Sequence, residues 1–145
     1  KSPLGTFIEA FEEWESDPEK QKKTKYETVF DFLVKQKKKH PLMDETVREI
    51  TGLEWEFAPK NLSLRALTSL LFVCYYQRDL LKANILKKIL SLDLKSIGKD
   101  NVEEYLLPEV ETIFLMADTT LPQVRINNNL LIKKIKNLFP GLWPY

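Results

Sequence analysis

The stretch "LTSLLFVCYY", residues 67–76, is the most apolar part of the chain and gives the clearest indication of its fold class. Arg65 and Arg78 enclose only twelve residues around it, whereas a membrane-spanning helix needs about 20. Its apolar side chains would surround nearly the whole circumference of a helix, which is typical of a helix covered on all sides. The stretch therefore predicts the central helix of a protein core and no membrane span.

Composition indicates an ordinary globular domain. The chain has 145 residues, of which 43% are apolar and 30% charged, so we expect one domain over residues 1–145, within a longer protein. The 22 basic and 21 acidic side chains nearly cancel, so no global field directs the protein to DNA or lipid. Cys74 is the only cysteine, which we expect in the core. A single cysteine, which cannot form a disulfide within the chain, favours an intracellular location, cytoplasmic or nuclear.

Helical signals begin in the first half of the chain. A capping-box pattern, Thr6 with Glu9, predicts the start of a first helix, and Thr24 with Glu27 predicts a second. A third, short helix is predicted from Asp44. Glycine is scarce and β-branched alternation is rare, so strands are not expected.

Four more helices are predicted in the second half. They cover residues 62–77, residues 80–92 with Lys82 on the polar face, a segment from Asp100, and a segment from Pro122. Pro108 falls inside the segment from Asp100, so that helix is expected to kink or split there. The fold class is therefore all-α: a compact bundle or short stack of about seven helices, resembling HEAT-like hairpins, without a clean repeat period.

Signatures of catalysis are missing from the sequence. The phosphate-binding and common hydrolase motifs do not occur, and His40, the single histidine, cannot form a His/Cys metal cluster with one cysteine. The acidic residues cluster in and after the first helix, as on a solvated face. We expect no enzyme, no cofactor and no metal, although a carboxylate-based hydrolase remains an alternative.

Clustered lysines are the main charged feature. They could contact phosphates or an acidic protein surface. Alternatively, they could simply balance the partial negative charge at a helix C-terminus. The scarcity of arginine disfavours base-specific readout. The lysines predicted as an electrostatic auxiliary at the end of the second helix are Lys35, Lys37, Lys38 and Lys39.

Large side chains near the helix ends are the candidate partner contacts. Each is either a core residue or an interface anchor, since Trp and Tyr are enriched where proteins meet. The segment "FPGLWPY", residues 139–145, is expected to be extended and either folds back on the bundle or docks on a partner. The predicted partner-binding residues are Trp14, Trp55, Leu142, Trp143 and Tyr145.

The order of the apolar blocks gives a family resemblance. "YETVFDFLVKQ", "DETVREI", "RDLLKANILKKIL", "VEEYLLPEVETIF" and "LLIKKIKNLF" together resemble the C-terminal helical domain of the non-catalytic WD-repeat subunit of katanin. The closest block is "LLPEVETIF", residues 106–114, and the connector 52–61 departs from the pattern. The resemblance implies a domain that binds a helical segment of the severing ATPase and helps it engage microtubules.

These observations favour a non-enzymatic helical interaction or scaffold domain that docks a partner helix or peptide within a larger complex. A protein partner is expected, no membrane contact is expected, and the oligomeric state is open. The alternatives are a katanin-like regulatory domain and a nucleic-acid or chromatin-associated domain that uses the lysine clusters.

Overall fold

The computed structural model describes residues 3–23, 27, 35, 62–74, 79–116 and 121–145. These residues belong to two compact units, Lys1–Leu62 and Ser63–Tyr145, and each unit is considered by itself. Helices account for 77% of the described residues, and no strand occurs among them, so the all-α prediction is confirmed. Helices are numbered α1 to α6 over the described residues only.

The first unit begins with α1, Pro3–Glu15, which is followed by a 3₁₀ turn at Lys20–Lys22. The predicted start of this helix at Thr6 is wrong, because the helix already begins at Pro3. Proline suits the first helical position, where its missing N–H would have had no partner. Phe11 and Glu15 are buried. The predicted second and third helices fall outside the described residues, apart from two helical positions, Glu27 and Lys35.

In the second unit, α2 spans Leu64–Val73 and contains most of the opening stretch. The side chain of Ser63 caps it by accepting a 3.1 Å hydrogen bond from the backbone N–H of Ala66, so the helix begins two residues later than the predicted Leu62. Leu67, Leu70, Leu71 and Cys74 are buried. The predictions of a core helix and of a core cysteine are therefore confirmed for the described part of the stretch.

Helices α3, Asp79–Leu90, and α6, Pro122–Leu138, form the most closely packed pair of the unit. Asn127 Nδ2 donates to the Ala83 carbonyl at 2.9 Å, and Lys134 Nζ donates to the Leu90 carbonyl at 2.8 Å. Both bonds join residues 44 positions apart, so the two helices run in the same direction. The predicted start of α6 at Pro122 is confirmed.

One prediction for α3 is wrong. Lys82 was expected on a solvated polar face, but it is buried, as are its neighbours Leu81 and Ala83. Three consecutive buried residues cover more than half of a helix circumference, because each residue turns the chain by about 100°. α3 is therefore covered on more sides than a two-faced pattern indicates.

A short helix, α4, Leu94–Ile97, was not predicted. Asp93 caps it through both carboxylate oxygens, which accept from the backbone N–H and the hydroxyl of Ser96. Gly98 ends it with φ +99° and ψ 152°, a conformation that is essentially restricted to glycine. The predicted start of the next helix at Asp100 is one residue late, because that helix begins at Lys99, without a side-chain cap.

Helix α5 is continuous through three segments, Lys99–Asn101, Val102–Leu106 and Leu107–Leu115. The middle segment is a π-helix in which the Leu107 N–H donates to the Val102 carbonyl. This wider turn lies immediately before Pro108, whose ring would clash with the carbonyl four residues earlier in an α-helix. The chain stays helical across Pro108, so the predicted split does not occur; the helix changes type just before the proline instead.

None of the described helices is long and apolar enough to cross a membrane.

Candidate functional site

The chain turns back sharply after α6. Gly141 has φ +88°, and the Leu142 N–H donates to the Phe139 carbonyl at 3.1 Å. A positive φ of this size favours glycine, because a Cβ would be strained there. The turn corrects the prediction that residues 139–145 are extended, and it leaves both Leu142 and Trp143 buried in the second unit.

Three rings meet where the tail returns to α5: Phe114, Trp143 and Tyr145, here called the aromatic cluster. Phe114 and Trp143 are edge to face, with centroids 5.4 Å apart and planes at 88°. Tyr145 stacks on Phe114 at 5.4 Å and lies 5.5 Å from Trp143. Such arrangements add about 0.5–1.5 kcal/mol per pair to the burial of apolar area. The cluster therefore fixes the tail against α5.

The hydroxyl of Tyr145 is anchored as well. It donates to Glu111 Oε1 at 3.2 Å, one helical turn before Phe114. The pKa of Tyr145 is raised above its usual 10.0 by partial loss of hydration and then by the negative charge and hydrogen bond of Glu111. The phenol thus stays protonated and remains a donor at neutral pH. Tyr145 presents an exposed ring, with 58% of its surface accessible, at a defined position.

The aromatic cluster forms one wall of an open cavity of about 460 Å³, here called the C-terminal groove. The opposite wall is α6. Among the residues that the structure describes, no acidic side chain lines the groove, and Glu111 lies beside it, bonded to Tyr145. The lining residues are Phe114, Asn129, Ile132, Lys133, Lys136, Trp143 and Tyr145.

Two lysines of this wall are available to a ligand. Within the part of the chain that the structure describes, neither Lys133 nor Lys136 has a carboxylate within salt-bridge distance, and both are exposed. Lys134, by contrast, is half-buried and donates to the carbonyls of Leu90 and Leu92 at 2.8 and 2.7 Å. The three neighbouring lysines thus divide into one structural cation and two that form no ion pair with any described residue.

Apolar side chains extend the exposed face of α6 beyond the groove. Ile126 and Leu130 are 49% and 50% exposed and lie one helical turn apart. Lys133 follows Leu130 by three positions, a spacing at which side chains are neighbours on a helix. The apolar pair and the groove therefore meet at Lys133.

In the first unit, two other predicted residues, Trp14 and Lys35, lie close together. The ammonium groups of Lys20 and Lys35 lie 4.1 and 4.6 Å from the centre of the half-buried Trp14 ring, within the range of cation–π attraction. Lys35, one of the lysines predicted as an electrostatic auxiliary, therefore lies beside Trp14, one of the predicted partner-binding residues. Trp55, Lys37, Lys38 and Lys39 lie outside the described residues.

Of the predicted tail residues, Trp143 and Tyr145 line the groove, whereas Leu142 does not. Phe114, Lys133 and Lys136 were not predicted as site residues. In the sequence, Phe114 is only the last residue of the block "LLPEVETIF". The lysines could have been found from the sequence of α6, "PQVRINNNLLIKKIKNL", which has four basic residues and no acidic one.

Among the residues that the structure describes, no group of three His, Cys, Asp or Glu side chains is placed to hold a metal ion. Comparison with protein-family models, curated proteins and solved structures found no significant match.

Proposed function

We propose that this chain is a non-enzymatic interaction domain that docks a helix or peptide of a partner protein in the C-terminal groove. The observation that carries the proposal is an aromatic wall, in which Phe114 and Tyr145 are exposed, beside two lysines that have no ion pair within the described residues. Aromatic residues are enriched in interface cores, and charges at the rim orient a partner. The groove supplies both.

The rigidity of the wall also supports the proposal. Trp143 is buried against Phe114, and Tyr145 is held by stacking and by its bond to Glu111. A partner that packs on Tyr145 would not have to order a mobile side chain, so less free energy would be lost on binding. An aromatic ring held in this way is a good docking anchor.

A helix that lies in a groove and inserts apolar anchors is a common mode of peptide recognition. The katanin resemblance would be one instance of this mode, with a helical segment of the severing ATPase as the partner. HEAT-like helical domains would use the same mode with other partners.

Site-specific photo-crosslinking tests the proposal. A benzophenone amino acid replaces Tyr145 in one variant and Leu80 in a control variant, because Leu80 is also exposed and does not line the groove. Both variants are expressed in cells and irradiated. We expect a discrete protein adduct from position 145 and none from position 80. The same adducts from both positions, or no adduct from position 145, would contradict the proposal.

A further inference from the structure

We infer that the segment received by the C-terminal groove is an acidic amphipathic helix of a partner protein. This inference rests on the proposed docking function and specifies the chemistry of the partner.

Charge is the first reason. Arg125, Lys133 and Lys136 are exposed on α6, and α6 carries no acidic residue. None of the three cations has an ion pair within the described ranges. A segment with carboxylates on its flanks would complement this face, whereas a basic segment would be repelled.

The apolar side chains of the same face indicate an amphipathic partner. Ile126 and Leu130 are exposed and lie one helical turn apart. Lys133, the next residue on this face, lines the groove together with the aromatic cluster. From Ile126 to Lys136 the helix rises by about 15 Å, at 1.5 Å per residue. A partner helix of three to four turns would cover this length, with apolar residues three and four apart facing α6.

A second copy of this chain fits the face poorly through α6 itself. A symmetric dimer places the same patch on both sides of the interface. The cationic face with Arg125, Lys133 and Lys136 would then lie against a second cationic face, and like charges in an interface are unfavourable.

Nucleic acid also fits less well. Trp143 is buried, so Tyr145 is the main exposed ring of the groove on which a base could stack. Ile126 and Leu130 would be left without an apolar partner. An acidic protein helix uses the lysines and the apolar pair together.

Fluorescence anisotropy with designed peptides tests the inference. The probe is a labelled helical peptide of about 15 residues, with leucines three and four apart and glutamates elsewhere. A matched peptide has every glutamate changed to lysine, and a single-stranded oligonucleotide serves as a second polyanion. The protein is used as the wild type, as Lys133→Glu/Lys136→Glu, and as Lys95→Glu/Lys99→Glu. The last variant has the same change of charge at exposed lysines that do not line the groove.

We expect the acidic peptide to bind the wild type and the control variant equally. Binding to Lys133→Glu/Lys136→Glu should be weaker by about tenfold or more, and added salt should weaken binding to the wild type. The lysine peptide should not bind.

Equal binding of both peptides, lost in Tyr145→Ala, would overturn the inference and leave the docking function standing. Tighter binding of the oligonucleotide, or a protein that sediments as a dimer through α6, would also overturn it. If the acidic peptide does not bind, the inference fails. Crosslinking from position 145 then shows whether the docking function fails with it.

Discussion

The rings of Trp143 and Phe114 are perpendicular, with planes at 88° and centroids 5.4 Å apart. Phe114 lies near the end of α5, and Trp143 lies in the tail after α6, so this contact joins two elements that the chain reaches at different points. The same two rings form part of the wall of the C-terminal groove. The proposed docking surface is therefore complete only when the tail has folded against α5.

Trp143→Ala should destabilise the protein by about 3–5 kcal/mol, the range for removing a large buried aromatic side chain. Urea unfolding followed by circular dichroism measures this change. Tyr145→Ala is the control, because that ring is largely exposed and its loss should cost about 1 kcal/mol or less. Equal losses for the two variants would mean that Trp143 does not hold the tail.

Lys134→Met should cost about 1–2 kcal/mol, because it removes the donor that serves the Leu90 and Leu92 carbonyls at the end of α3. The matched variant is Lys133→Met, one position earlier, whose ammonium has no ion pair within the described residues. We expect its free energy of unfolding to stay within about 0.5 kcal/mol of the wild type. The assignment of Lys134 as the structural cation fails if the two variants rank in the opposite order.

Asn127→Ala should cost about 1 kcal/mol more than Asn128→Ala. Asn127 uses both ends of its amide, donating to the Ala83 carbonyl and accepting from Gln123 at 2.9 Å. Asn128 donates to the Val110 carbonyl, while its buried Oδ1 has no hydrogen-bond partner among the described residues. Removing an unsatisfied acceptor recovers part of the cost of burying it. Chemical denaturation of both variants tests the order, and a larger loss for Asn128→Ala would refute it.

The sequence predicts those features of the fold that depend on residues close together in the chain. α6 was predicted from its first residue, because Pro122 sets the start and apolar residues recur at helical spacing along it. Ser63 was missed as the cap of α2, although its side chain acts only three residues away. Asp93 was missed as the cap of α4, because a four-residue helix is too short to show periodicity.

Long-range contacts explain the remaining differences. The burial of Lys82 depends on what covers α3, which a two-faced pattern does not show. Likewise, Phe114 fits an apolar stripe, yet its part in the groove depends on a tail that returns to it after α6. The tail residues Trp143 and Tyr145 were predicted as partner contacts because large aromatic side chains next to prolines need a surface to cover. Their use by a partner is still a prediction.

Asp93 should make the stability of the protein depend on pH. The hydroxyl of Ser96, and then its backbone N–H, lower the pKa of Asp93 below 3.8 in the folded state. A lowered pKa means that the contribution is present above the unfolded pKa and is lost as the pH falls through the folded value. Ser96→Ala should therefore shift the urea midpoint at neutral pH, and the shift should shrink well below pH 3.8. A shift that is the same at both pH values would contradict this.

The most direct test of the docking surface is amide and indole NMR of the whole chain during titration with the acidic helical peptide. We expect the largest changes at the Trp143 indole, Phe114 and Lys133, and no change at the Trp14 indole. The same titration of Lys133→Glu/Lys136→Glu should leave the Trp143 signal in place. Changes centred on Trp14 and Lys35, or no change at the aromatic cluster, would contradict a docking site in the C-terminal groove.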